Sequence, residues 1–164
     1  MNINANTKEA PNRSLRAAFR SWLETGRFDF FVGLAINDQS VGPRRARDLV
    51  REWNARMDRR IVGKQWLRRP DERMFALHVL EKPGSNPHWH SLIRLEPPEP
   101  DRWPVQARKL QEYAELEWRK LIKSGTVDVQ QITRTPEFVA RYIAKELAGE
   151  IQFREFILPD EFRH

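Results

Sequence analysis

Apolar residues along the chain fall into blocks of two kinds, short continuous runs and longer stripes of helical spacing. After a polar start, residues 27–37, RFDFFVGLAIN, are apolar and aromatic enough for a buried strand. The loop signals DQSVGP follow. In RRARDLVREWNARMDRRI, Ala46, Leu49, Val50, Trp53 and Met57 then recur at helical spacing, which predicts an amphipathic helix with arginines on its wet face. Two further apolar runs, Met74–Glu81 and His88–Glu96, flank KPGSNP and predict a hairpin with a six-residue loop. PPEPDRWP breaks the chain before a second helical stripe, Leu110, Tyr113, Ala114, Trp118 and Leu121. SGTVDVQQI reads as turn plus strand. TPEFVARYIAKELAG reads as a helix with Thr135 as N-cap, Pro136 at its first position and Gly149 at its end.

With a further strand admitted near residues 61–68, the order is β, α, (β), β, β, α, β, α. It predicts an α+β fold, a sheet of four or five mainly antiparallel strands with helices packed on it. The organisation expected is a polar segment over 1–26, one domain over 27–149 and a tail over 150–164. Phe153, Ile157 and Leu158 in that tail suffice to cover a sheet edge or a partner surface.

Composition narrows the function. The 164 residues suit one hydrophobic core. With 29 Lys and Arg against 23 Asp and Glu, the formal charge is +6 and the isoelectric point is near 10, which suits a polyanion such as nucleic acid. There is no cysteine, so any metal must be held by His, Asp, Glu or Gln. No signal-peptide core and no membrane-length apolar window occur, so a soluble, cytoplasmic protein with no membrane partner is expected. VGKQW around Lys64 lacks the first glycine and the hydroxyl residue of a phosphate loop, so no NTPase activity is expected.

Two of the four histidines stand one residue apart in NPHWHSLI. In a strand, His88 and His90 share a face while Trp89 points away, a geometry that suits two nitrogen ligands on one metal. The alternative is two ordinary histidines on a half-exposed strand. If the hairpin closes with Glu81 opposite His88, Glu81 joins them as third ligand; a slip of one residue substitutes His78. Such a set suits Mg²⁺ or Mn²⁺ acting as a Lewis acid on a phosphate, and zinc also fits the ligands.

In FVARYIAKEL, Tyr142 and Lys145 lie three residues apart on one helix face. A phenol can attack phosphorus to form an ester, and an ammonium beside it can favour the phenolate or hold the phosphate. Packing beside Phe138 and Val139 is the plain alternative. The arginine-rich stretches around Trp53 and Trp66, with Arg68 and Arg69 in GKQWLRRP, suggest phosphate contacts, or else a solvated face over core tryptophans. Arg134 and Arg141 near the tyrosine complete the candidate DNA contacts.

The apolar strand FDFFVGLAIN, the HWH about fifty residues later and YIAK on a closing helix together resemble the three motifs of the HUH endonucleases. Their order resembles that of the rolling-circle replication initiators; relaxases of the same superfamily carry the tyrosine before the histidine pair. The resemblance implies a sheet of the ferredoxin or RNA-recognition-motif type with the histidine strand central and the tyrosine helix beside it. It also implies a divalent metal on His88, His90 and Glu81, with Tyr142 nicking single-stranded or hairpin DNA through a 5′-phosphotyrosyl link. Lys145 would place the phenol or neutralise charge at the phosphate. The setting implied is rolling-circle replication of a plasmid, phage or other mobile element.

Departures from the family pattern are a single motif tyrosine, with Tyr113 expected in the core, and no helicase domain. Unwinding and synthesis would thus fall to a host helicase and polymerase. A single-tyrosine transposase, a non-catalytic nucleic-acid-binding module of the same fold, and a hydrolase whose histidines activate water are the other readings.

Overall fold

The first apolar run becomes strand β1, Phe30–Ala35, whose Phe30, Val32 and Leu34 are fully buried on one face while the intervening residues are half-buried. The computed structural model describes residues 27–133 together with residues 17, 21, 156 and 157. The chain divides into two compact units, Phe28–Ile132 with Glu155–His164, and Met1–Arg27 with Thr133–Arg154. The sheet and its two long helices belong to the first unit.

Helix α1 spans Pro43–Val62, β2 Phe75–Glu81, β3 His88–Arg94, α2 Trp103–Leu121 and β4 Thr126–Gln131. Phe156–Ile157 forms a short β5. The sheet order is β4-β1-β3-β2-β5, and every neighbouring pair is antiparallel, so β3 is central. The α+β class with a mainly antiparallel sheet is therefore present. The tail adds β5 to the edge of β2, with Ile157 opposite His78 and buried; Phe153 and Leu158 lie outside the described residues. The helix expected over 135–149 also lies outside them. Among the described residues no helix is long and apolar enough to cross a membrane.

Both helices start with proline near the first position, where no intrahelical N–H is lost. α1 buries the expected stripe of Ala46, Leu49, Val50, Trp53 and Met57, and Asn54, Asp58 and Ile61 with it. The strand admitted near 61–68 does not form. α1 takes residues 61 and 62, Gly63 ends it with a φ of 101°, and Trp66–Arg68 and Pro70–Glu72 make two 3₁₀ turns.

Three fully buried tryptophans join the layers, each donating its indole N–H to a backbone carbonyl. Trp53 in α1 reaches Ala114 O in α2 (2.9 Å), Trp89 in β3 reaches Ala46 O in α1 (3.1 Å), and Trp118 in α2 reaches Ala35 O in β1 (2.8 Å). A buried ring of this kind combines apolar area with a satisfied donor, which fixes both depth and angle of packing. Trp53, for which base stacking was an option, is thereby a core residue.

Trp118 depends on the turn that follows it. A Cβ on Gly125 would lie 2.5 Å from Trp118 Nε1 and 2.9 Å from Ile122 Cγ2. We expect Gly125→Ala to lower stability by about 1–3 kcal/mol in urea unfolding, the usual cost of overpacking; an unchanged midpoint would show that the Trp118 contact is looser than described.

Candidate metal centre

Antiparallel pairing of β2 with β3 sets Glu81 directly opposite His88, Val79 opposite His90 and His78 opposite Ser91. Directly opposed residues share a face, and successive residues alternate. Glu81, His88 and His90 thus stand together on the face away from the helices. Each can offer one ligand atom so that all three atoms lie within 4.8 Å of one another.

The carboxylate sits between the two rings. Its Oε2 is 3.5 Å from His88 Nε2 and its Oε1 is 3.4 Å from His90 Nδ1. Donors bound at about 2.1 Å to one ion stand about 3.0 Å apart at octahedral angles and about 3.4 Å apart at tetrahedral ones. The spread fits a shared cation with small side-chain adjustments. All three side chains are about one-fifth exposed (19–23 %), so they are partly sheltered from water without being sealed in the core.

Local structure orients the ligands. His88 Nδ1 donates to the carbonyl of Asn86 at 2.9 Å, which leaves the Nε2 lone pair directed to the Glu81 side. The edge of Phe31 meets the His90 ring at 5.2 Å between centroids. On β1, the small residues Ala35 and Gly33 directly oppose His88 and His90, so the Phe31 ring is the large β1 side chain beside the pair. Across Gly33 lies the exposed Asp128 of β4. Lys82, the first loop residue after Glu81, holds a φ of 49°, and a turn closed by Ser85 N–H to Lys82 O (3.1 Å) follows it.

His78, the other possible third ligand, points into the core on the opposite face and is fully buried. Its Nδ1 is 2.6 Å from Ser91 Oγ and its Nε2 is 3.0 Å from Asn54 Oδ1. Asn54 Nδ2 donates to Asp58 Oδ2 at 3.0 Å, and Met74 N–H donates to Asp58 Oδ1 at 3.0 Å. One tautomer satisfies the chain: Ser91 O–H donates to Nδ1, and Nε2–H donates to Asn54. Burial pushes the Asp58 carboxyl up to about 7, against the opposing pull of the Met74 N–H, the Arg73 charge and the Asn54 amide. This chain ties β3, β2 and α1 together directly beneath the histidine strand.

Among the described residues, the other candidates Arg68 and Arg69 are not brought to the Glu81, His88 and His90 cluster. Arg68 and Arg69 are exposed on the first 3₁₀ turn and just after it, and Arg69 is 3.6 Å from Glu72. Arg73 holds that turn to the start of β2 through the carbonyls of Trp66 and Leu67, while Glu81 is at the other end of the strand, about 20 Å along it. Tyr113 is half-buried and packs against the core, with the Arg60 guanidinium 4.4 Å above its ring. Tyr142, Lys145, Arg134 and Arg141 lie outside the described residues.

Sequence reasoning missed the buried polar chain of Ser91, Asn54 and Asp58, and the buried Glu117. A signal existed: Asn54 and Asp58 are four apart, each next to a core residue of the α1 stripe, a place where unpartnered polar groups are costly. Among protein-family models, curated proteins and solved structures, none matches this chain.

Two outcomes follow from this geometry. Calorimetric titration with Mn²⁺ should give one site per chain, weakened more than about 100-fold by His88→Ala or Glu81→Gln and weakened on acidification, because imidazole ligands must be neutral; equal affinity in the variants would exclude the cluster. Folding also binds a proton at Asp58 between pH 3.8, its ordinary value, and about 7. The stability it contributes is fully present below that window and lost as pH rises through it. Measured by denaturant unfolding, Asp58→Asn should gain on the wild type by roughly 3–4 kcal/mol from pH 4 to pH 7; a pH-independent difference would show that Asp58 is ionised throughout.

Proposed function

We propose that the protein is a metal-dependent DNA nickase and strand transferase of the HUH type, acting on single-stranded DNA or the unpaired part of a hairpin. The observation that carries this reading is the Glu81, His88 and His90 cluster on two adjacent antiparallel strands, with the histidines on the central one. The β-α-β-β-α-β succession with sheet order β4-β1-β3-β2, to which β5 adds an edge strand, is consistent with a ferredoxin-like arrangement and supports the same reading. So does the net charge of +6.

A divalent cation on these ligands, Mg²⁺ or Mn²⁺, supplies Lewis-acid polarisation of a scissile phosphate. The oxygen of Tyr142 attacks phosphorus; the new phenolic O–P bond forms as the P–O3′ bond breaks. The phenolic proton is lost to solvent and the leaving 3′ oxygen takes one up, so the products are a 5′-phosphotyrosyl enzyme and a free 3′-hydroxyl. Lys145, three residues on from Tyr142 in the sequence, holds the phosphate or favours the phenolate. The reverse attack rejoins the strand. In a mobile element the 3′-hydroxyl primes rolling-circle synthesis by a host polymerase, with a host helicase unwinding the duplex.

The test is a denaturing gel of the protein with a pool of labelled single-stranded oligonucleotides and Mn²⁺. We expect a covalent adduct that disappears in Tyr142→Phe, in His88→Ala/His90→Ala and with chelator. Nicking that survives Tyr142→Phe would replace this mechanism with activation of water, and no adduct or nicking across the pool would leave a binding module of the same fold.

A further inference from the structure

The helix layer covers the sheet face opposite the metal ligands, and its outer surface holds a second concentration of charge. Between α1 and α2 runs a groove of about 820 Å³ lined by six cations, Arg56, Arg59, Arg60, Lys64, Lys109 and Lys120. Only two carboxylates share it. Glu117 is 3 % exposed: its Oε1 accepts from Arg60 Nε (2.9 Å), Arg60 Nη2 (2.6 Å) and Lys120 Nζ (2.9 Å), and its Oε2 lies 3.5 Å from Arg56 Nη1. Burial pushes its carboxyl up, but the hydrogen bonds from Lys120 and Arg60 together outweigh burial and hold it below the usual range. Glu52 pairs with Arg56 at 2.7 Å. Lys109 reaches a backbone carbonyl, Ile61 O, at 3.4 Å. Arg59 and Lys64 have no ion pair among the described residues. Four positive charges are thus left over in one groove, in a chain whose net charge is +6.

The distribution of that surplus says what it fits. Arg56 and Arg60 stand on successive turns of α1 and Lys64 just past its end, so the cations form a row about 12 Å long rather than a point. A row of charge matches a string of phosphates better than a single phosphate group. Both aromatic rings in the groove already carry a guanidinium over one face, Arg60 over Tyr113 at 4.4 Å and Arg73 over Trp66 at 4.9 Å, which favours phosphate contact over base stacking. The lining has no aliphatic side chain larger than alanine, and Trp66 and Tyr113 each carry a guanidinium over one face, so a lipid surface would find little to bury.

We infer that this groove is a second nucleic-acid site, which holds the sugar-phosphate backbone of DNA without a metal and without reading sequence. The site lies on the face away from the metal ligands and does not depend on the nickase reading. On the full chain, fluorescence anisotropy with a labelled oligonucleotide, single-stranded in one arm and duplex in the other, is followed against salt in the presence of chelator. Arg59→Gln/Lys64→Gln, checked for native circular dichroism, should bind more weakly and flatten the plot of log K against log salt by about 1.8 for duplex or about 1.4 for single strands. Glu52→Gln, which removes the exposed carboxylate beside Arg56, should tighten binding. The arm that shows these changes identifies the strand form held. An unchanged slope in the double variant, binding that appears only when metal is added, or no binding of either form in chelator would each overturn the inference.

Discussion

The pairing register of β2 with β3 is the constraint from which the candidate centre follows. Glu81 meets His88 across the ladder, and because side chains alternate, that one pairing decides which residues stand on each face of both strands. A slip of one residue would turn Glu81 toward the helices and bring His78 to the open side. The register is held from beneath. Ser91 and His78, directly opposed, are bonded to each other at 2.6 Å, and Trp89, opposite Leu80, donates to Ala46 O under α1. These buried partners leave no satisfied alternative, so the ligand face inherits a geometry set by the core.

Much of this was legible in the chain. The helical stripes fixed α1 and α2 to within a few residues, and the period of two placed His88 and His90 together with Trp89 opposed to them. The hairpin loop of six residues made the Glu81–His88 pairing the simplest closure. Less legible was the segment after Ile61, where β-branched and aromatic residues suggest a strand but Gly63 and Pro70 dictate turns. The polar residues of the core were also hidden. Asn54, Asp58 and Glu117 read as the wet side of their helices until tertiary partners are known, since burial of a polar group depends on contacts distant in the chain. Tyr113 is intermediate, packed against the core but only half-buried. Its place on the stripe suggests core, but its ring lies under Arg60 at the rim of the helix groove.

The two faces of the sheet divide the chemistry. One presents three adjacent donors, partly sheltered and supported by a backbone carbonyl at His88. The other carries the helices, whose arginines and lysines outnumber the carboxylates that balance them in the groove. The proposed nucleic-acid partner rests on both faces, on a donor set suited to a phosphate-polarising cation and on a row of cations suited to a string of phosphates.

The most direct measurement is anomalous diffraction at the manganese edge from crystals of the protein grown with Mn²⁺. The account predicts one strong peak within about 2.3 Å of His88 Nε2, His90 Nδ1 and a Glu81 oxygen. A peak bound elsewhere, or none at the cluster with Mn²⁺ present, would contradict it.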